Sequence, residues 1–447
     1  MRTWTTIAAC ALLCSSIPHG WAWDIDAEVK ASAEYDSNVD ESNANERSGW
    51  NYQPGLSVNI SETADSLNAS FSYDTRKRYY ESGRYDNDTH VTGRGAINWG
   101  VVNDVWNVYG ENQRVLTTIN NRQANTPDNQ QTIDTSTVGS NVFIPVGRHR
   151  LVLQVEETHT GQDELDNDSE GSAITAAYRV PFGDTHLISL VHSELDVEFD
   201  NPSSSEYQNN TTSIFYHSVS RVLEINLDVG QTRIEFDDSS TEIEGTTGQI
   251  DLLRRLGDNS EIQFNASRRI TDGLNQRRGF FFDNIGQPDL SEEFTAGNQV
   301  FELTQYALRG STVFGANHLS MLIGHSTRDY EFTDTDELRH SVSATLNRKL
   351  GRDNRFSLGL RYVMSSFDDA PHDEYYSGRM SYDHQFTRRF GMSISASYST
   401  QESDAVVRDY DGWTSMITFR YQIFEGNDPG RLSGRIHNFG SRQYSSF

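Results

Sequence analysis

Cysteine is nearly absent. Cys10 and Cys14 are the two in the chain, and both fall inside an N-terminal apolar segment, so the remaining sequence offers no disulfide framework and no thiol chemistry. Long apolar runs are missing as well: no stretch approaches the roughly 20 consecutive apolar residues of a transmembrane helix, which excludes a helical membrane protein. Positive charge is scarce too. Lys and Arg total 37 against 64 Asp and Glu, and the resulting charge of -27 argues against nucleic acid as a partner. The acidic excess gathers in polar stretches such as Asp36 to Glu46, Asp163 to Glu170, Asp237 to Glu244 and Asp368 to Glu374. Solvated loops are the simpler reading of these stretches; divalent-cation bridging to anionic surface glycans is the sharper one.

The chain opens with Arg2, an apolar run from Ile7 to Leu13, and small residues Gly20 and Ala22 placed for cleavage before Trp23. That layout predicts a secretory signal peptide over residues 1–22 and an exported protein. Ile7-Ala8-Ala9-Cys10 has the look of a lipoprotein box, but it lies too near Met1 and the apolar run continues past it. From Trp23 the pattern changes to strict alternation. Trp23, Ile25, Ala27, Val29, Ala31, Ala33 and Tyr35 interleave with Asp24, Asp26, Glu28, Lys30, Ser32 and Glu34, which is a strand with one apolar and one polar face. A strand starting directly after the cleavage site leaves no room for an N-terminal plug domain, so energised transport through a plugged barrel is not expected.

The same rhythm recurs to the far end. In Trp413 to Phe424, the residues Trp413, Ile417, Phe419, Tyr421 and Ile423 share one face, while Thr414, Met416, Thr418, Arg420 and Gln422 share the other. Between these two segments, nine short turns such as Thr63 to Ser66, Gly315 to Asn317 and Thr387 to Arg389 alternate with longer loops, among them residues 198–210, 237–245, 272–297 and 368–374. The prediction is an all-β protein: a transmembrane antiparallel up-and-down β-barrel of about 20 strands (18 to 22) over residues 23–424, in the outer membrane of a Gram-negative cell. Its first and last strands should pair, because a backbone in lipid tolerates no open edge. A hydrophobic content of only 35% is compatible with this, since only alternate residues face lipid. Trp50, Tyr52, Tyr73, Tyr79, Trp99, Trp106, Tyr330, Tyr362, Tyr398 and Trp413 lie near strand ends, where interfacial girdles form. Residues 425–447 do not alternate and are expected to be a periplasmic tail. Phe447 has the identity of the terminal aromatic that insertion machinery reads, but Ile417 to Phe424 is the better-patterned candidate.

Several His-Ser pairs invite a hydrolase reading: His192-Ser193, His217-Ser218, His325-Ser326 and His340-Ser341. Neighbours in a strand point to opposite faces, so neither member serves the other in one site, and no enzyme is expected. Asp166 to Gly171 begins like a calcium loop, yet its twelfth position is Ala177 in place of a bidentate Glu, so no metal or cofactor is assigned. The polar face is more informative. If apolar residues face lipid, Arg76, Arg269, Arg361, Arg379 and Arg420 line the lumen together with Asp74 and Asp383. They form either a wet solute path or a salt-bridge lattice that stiffens the wall. The loop Asp272 to Gly297 carries Arg277, Arg278, Phe280, Phe281 and Phe282, which would constrict the pore or cap its outer mouth.

At the end of the first strand, Glu34-Tyr35-Asp36-Ser37-Asn38-Val39 resembles the E-Y-D-x-N-V/I signature of a family of porin-like outer-membrane β-barrels. These are associated with exopolysaccharide biosynthesis and export operons, including those that accompany the PEP-CTERM sorting system. The resemblance implies a passive conduit or accessory for exopolysaccharide export. It implies as partners outer-membrane lipid and lipopolysaccharide, the barrel-insertion machinery, the polysaccharide and periplasmic export components. The residues alone leave three classes open: such a conduit, a general diffusion porin for small solutes, and a structural or surface-adhesion barrel whose loops do the work.

Overall fold

The computed structural model describes residues 23–42, 46–119, 126–163, 168–201, 206–237, 241–272, 300–330, 336–367, 370–403 and 409–424. The expected signal peptide and C-terminal tail lie outside the described residues. Twenty strands follow one another. The first five are β1 (Asp24–Asp36), β2 (Gly49–Thr63), β3 (Leu67–Tyr80), β4 (Asp88–Val102) and β5 (Trp106–Thr118). Next come β6 (Gln130–Val146), β7 (His149–Gln162), β8 (Ser169–Phe182), β9 (His186–Phe199) and β10 (Tyr207–Val219). The second half holds β11 (Leu223–Phe236), β12 (Glu242–Arg255), β13 (Ser260–Asp272), β14 (Val300–Phe314) and β15 (Asn317–Tyr330). It ends with β16 (Glu337–Lys349), β17 (Asn354–Phe367), β18 (Ala370–Gln385), β19 (Phe390–Ser403) and β20 (Tyr410–Phe424).

Each strand pairs antiparallel with its sequence neighbours, and β20 pairs with β1, so the sheet closes on itself as expected. Closure leaves no edge strand, which is what allows a sheet to sit in lipid. The register at the seam sets Ala31 opposite Phe419 and Ser32 opposite Thr418, with an irregularity between Ala27 and Glu28. Tight turns fall where the sequence supplies turn chemistry. Val146 pairs with His149 and Phe314 with Asn317, and the first residue of each two-residue link is a glycine with positive φ, Gly147 at 65° and Gly315 at 60°.

Curvature separates the two faces. On the concave side, neighbouring side chains converge and shield one another; on the convex side they splay apart. Val152, Ala177 and Val191 are accordingly almost wholly buried, while their strand neighbours Leu153, Ile174 and Leu190 are widely exposed. Large apolar residues recur on the exposed side: Ile25, Val29, Leu56, Ile97, Val138, Ile214, Val229, Ile250, Leu308, Ile323, Leu360 and Phe419 form a belt round the barrel. Such a belt on a closed sheet is stable in a bilayer and would aggregate in water. The protein is an outer-membrane β-barrel. Trp50, Tyr52, Tyr79, Trp99, Trp106, Tyr398 and Trp413 are exposed on this outer face.

Three features depart from the sequence expectation. Tyr330 is not in a girdle: it pairs with Phe301 in register, their ring centroids 5.1 Å apart, on the inward side beside Arg328. Residues 370–374, expected in a loop, belong to β18, because Tyr375 and Tyr376 pair with Val363 and Tyr362 and extend that hairpin. Lastly, the strands overrun the apolar belt on the longer-loop side, and there the polarity of the two faces inverts. In β9 the outer face changes from Ile188 and Leu190 to His192, Glu194, Asp196 and Glu198, while the inner face becomes Leu195, Val197 and Phe199. Water replaces lipid outside at that height, so charge moves out and apolar side chains pack inward. Val197, Phe199, Tyr207, Ile234, Phe236 and Ile243 form a buried apolar cluster with Ile270 and Val300.

Candidate functional site in the barrel lumen

The register places every arginine and aspartate assigned to the polar face on the concave side. Asp74 and Arg76 on β3 share that side with Ser57 and Gly55 of β2, which are in turn opposite Glu28 and Lys30 of β1. Arg420 of β20 is opposite Lys30 across the seam, and opposite Gly391 of β19 on its other flank. Arg379 and Asp383 of β18 face Gly359 and Arg355 of β17. Arg361 of β17 lies between Ser343 and Ser377, and Arg269 of β13 lies opposite Leu303. Arg277, Arg278, Phe280, Phe281 and Phe282 lie outside the described residues.

At the seam these charges form an ordered row. Lys30 and Arg420 are direct cross-strand partners, an arrangement that repels by itself. Each cation leans away to a carboxylate on its far side. Arg420 Nη2 donates to Asp383 Oδ1 at 3.2 Å, and Lys30 Nζ donates to Asp74 Oδ2 at 2.6 Å. Arg76 Nε reaches the other oxygen of Asp74 at 2.5 Å, and the Ser57 hydroxyl donates to the same carboxylate. Gln422 extends the row with a 3.1 Å bond to Asp26. Of the predicted residues, then, Asp383 and Arg420 pair on one side of the seam, and Asp74 and Arg76 pair, with Lys30, on the other.

Arg379 stands differently. It is exposed on the concave face, flanked along its strand by Ser377 and Ser381 and opposite Ser397, and it makes no salt bridge among the described residues. Around it runs a wall of hydroxyls: Ser393, Ser395, Ser397 and Ser399 of β19, then Thr414 and Thr418 of β20, then Ser32 of β1. Ser397 meets Thr414 at 2.5 Å and Ser32 meets Thr418 at 2.8 Å, so the hydroxyls are cross-linked across the seam.

The opposite sector, β6 to β12, is close-packed. Thr137 and Thr158, Thr175 and Ser193, and Thr211 and Thr232 are paired at 2.9 Å each, and Val152, Ala177, Val191 and Phe215 pack together below them. Tyr109 points into the lumen, donates to Glu156 at 2.7 Å, and lies over Gly139, where any Cβ would strike its ring. Near the mouth, Arg328 and Glu337 form a deeply buried pair at 2.7 Å, with the guanidinium over the Phe301 ring. Neither feature was read from the sequence. Glu337 and Arg328 flank a loop, and the only available signal was their matching parity in adjoining segments.

The His-Ser pairs are split between the faces: Ser193, Ser326 and Ser341 point inward while their histidines point outward, and His217 points inward with Ser218 outside. Among the described residues no group of three or more metal-ligating side chains is present. Asp166 and Asn167 lie outside the described residues, and Asp168 accepts the Gln162 backbone N–H at 2.9 Å, an ordinary loop-closing contact.

No family model and no curated protein matches the sequence. Among solved structures, the chain is similar to the siderophore receptor PirA from Acinetobacter baumannii, at 9% identity and a TM-score of 0.48, with 89% of this chain and 80% of that one covered. It is similar also to the FrpB iron transporter from Neisseria meningitidis, at 8% identity and a TM-score of 0.47, covering 92% and 83%. A third similar structure is a loop-deletion form of OmpT, an outer membrane protein of Vibrio cholerae, at 10% identity and a TM-score of 0.35, covering 90% and 99%.

Proposed function

We propose that the barrel is a passive, water-filled conduit for hydrophilic solutes, and that an exopolysaccharide chain is its cargo. The observation that carries this reading is the lumenal sector from β17 to β3, where a hydroxyl wall surrounds the exposed Arg379 and every strand presents polar residues inward. A sugar chain exchanges its bonds to water for bonds to serine and threonine with little net change, so it is neither trapped nor excluded by such a wall. Lumenal charge is mixed and partly paired, which suits a neutral or weakly charged chain better than a strongly selected ion. The hexapeptide Glu34 to Val39 adds the resemblance to export-associated barrels. A general diffusion porin is the second reading, favoured by the same mixed charge.

The test is conductance of the purified barrel in planar bilayers, alongside polysaccharide release from cells. Wild-type protein should conduct. Arg379→Ser should shift the reversal potential toward cations, because no carboxylate among the described residues offsets that charge, whereas the paired change Arg420→Ser with Asp383→Ser should leave it nearly unchanged. Cells lacking the barrel should release less polysaccharide. Conductance with normal release would favour the porin, and a silent barrel with normal release would overturn both readings.

A further inference from the structure

Two loops on the longer-loop side are fastened together and enclose a cavity of about 320 Å³, lined by Val39, Asp40, Arg47, Ser48, Ser82 and Arg84. The β1–β2 loop contributes the first four, and the β3–β4 loop the last two. Asp40 is the anchor. Its carboxylate is 14% exposed and accepts the Tyr85 phenol at 3.0 Å, and Tyr85 itself is buried against Tyr80. Burial and then the adjoining Asp40 carboxylate push the Tyr85 phenol above its ordinary value, so it stays a proton donor. The Val39 N–H to Arg47 carbonyl bond at 2.8 Å closes the β1–β2 loop on itself, and the Glu81 N–H to Trp50 carbonyl bond at 3.0 Å ties the start of the β3–β4 loop to β2.

Two guanidiniums share this one carboxylate. Arg47 Nε lies 3.8 Å from Asp40 and Arg84 Nε lies 3.5 Å from it, both beyond ordinary charge-assisted hydrogen-bond length, and both arginine side chains are more than half exposed. The closest approach of each is through Nε, which leaves the terminal nitrogens uncommitted to Asp40. The lining residues therefore carry two positive charges and one negative, a local surplus of cation in a chain of charge -27. Ser48 and Ser82 add two hydroxyls to the same wall. The volume is at the lower end of the ~300–1,000 Å³ that small-ligand sites occupy.

We infer that this cavity is a binding site for an acidic saccharide, with a uronate carboxylate held between Arg47 and Arg84 and ring hydroxyls on Ser48 and Ser82. Planar guanidiniums match a carboxylate bidentately, and paired hydroxyls match a sugar ring. The site is built from the loops on the longer-loop side and does not depend on the conduit reading.

Equilibrium binding of a galacturonate oligosaccharide to the whole barrel in non-ionic detergent tests this, with a neutral galactose oligosaccharide and inorganic phosphate as comparison probes. The uronate should bind, more weakly as salt rises, and Arg47→Gln and Arg84→Gln should each weaken it about 10-fold while heat-modifiable mobility shows the barrel assembled. Asp40→Asn should tighten binding, since both guanidiniums then serve the ligand; if that variant fails to assemble, the two arginine variants decide alone. Absence of uronate binding, equal binding of the neutral sugar, or affinity unchanged by both arginine variants overturns the site. Phosphate binding at the same arginines without preference for uronate overturns the saccharide assignment.

Discussion

Replacing Phe419 by arginine tests the outward assignment of one face against the inward assignment of the next residue. Phe419 lies in the middle of β20, exposed on the outer belt, its ring parallel to Phe390 with centroids 6.2 Å apart. A cation placed near the bilayer midplane on a barrel costs roughly 2 to 4 kcal/mol. Loss of the ring pair adds roughly 0.5 to 1.5 kcal/mol. A total of about 2.5 to 5.5 kcal/mol corresponds to a loss of about 60-fold or more in the folded-to-unfolded ratio, since about 1.4 kcal/mol is tenfold. Thr418, one residue away, points into the lumen and meets Ser32 at 2.8 Å. Thr418→Arg forfeits that contact, about 1 kcal/mol, and adds mild repulsion from Lys30 and Arg420 on the same face. Urea titration of each variant in lipid vesicles, with wild type alongside, gives the two differences directly. Phe419→Arg should be the more damaging by at least about 1 kcal/mol. Equal losses, or a reversed order, would refute the assignment of faces throughout the barrel, because the register propagates that assignment from strand to strand.

Epitope tags in the loop Asp163 to Glu170 should be accessible on intact cells, while tags at Gly351 to Asn354 should not; the opposite labelling would invert the membrane orientation. Glu337→Gln should destabilise the barrel by about 3 kcal/mol or more in the same titration, because it removes the carboxylate from a buried guanidinium, and joint replacement of Arg328 and Glu337 by leucines should be milder. A double replacement worse than the single one would show that the pair contributes net stability. Asn38→Ala should lower the barrel's melting temperature with a loss of about 1 to 3 kcal/mol, as it deletes buried bonds to the Asp411 carbonyl at 2.9 Å and from the Ser42 N–H at 3.2 Å. Conductance should survive it; unchanged stability with lost conductance would move the role of Asn38 from structure to transport.

Alternation was legible wherever one face meets lipid. Ile25, Ala27 and Val29 of β1, and Ile417, Phe419 and Tyr421 of β20, alternate because lipid admits only apolar side chains, and turn residues such as Gly147 and Gly315 marked the ends of the hairpins. The same rule fails above the belt. In β9 and β11 alternation still shows which residues share a face, but apolarity no longer says which face is outside, so the inward cluster of Val197, Phe199, Ile234 and Phe236 was assigned to no role. Lumenal pairing was hidden for a different reason. Lys30 and Asp74 are 44 positions apart and Asp383 and Arg420 are 37 apart, and only the registers across β2 and across β19 bring them into contact, one pair on each side of the seam that closes the sheet.

The hexapeptide that carries the family resemblance is explained by that same closure. Asp36 accepts the Asn38 N–H at 2.8 Å, which turns the chain out of β1. Asn38, almost fully buried, then donates its side-chain amide to the Asp411 carbonyl on β20, close against Gly412, where a Cβ would lie 3.3 Å from its own. Ser37 exchanges two bonds with the Trp413 backbone, donating its N–H at 3.0 Å and accepting with its hydroxyl at 2.8 Å. Tyr35 fills the space between Trp50 and Trp413, with centroids 5.3 and 5.1 Å away. The Asn38, Ser37 and Tyr35–Trp413 contacts fasten the first strand to the last at the end of the seam. These contacts describe how the sheet is shut, so the hexapeptide bears on cargo through its family resemblance alone and not through any contact it makes. Evidence for the cargo has to come from side chains that closure leaves uncommitted, which in the described lumen points to Arg379.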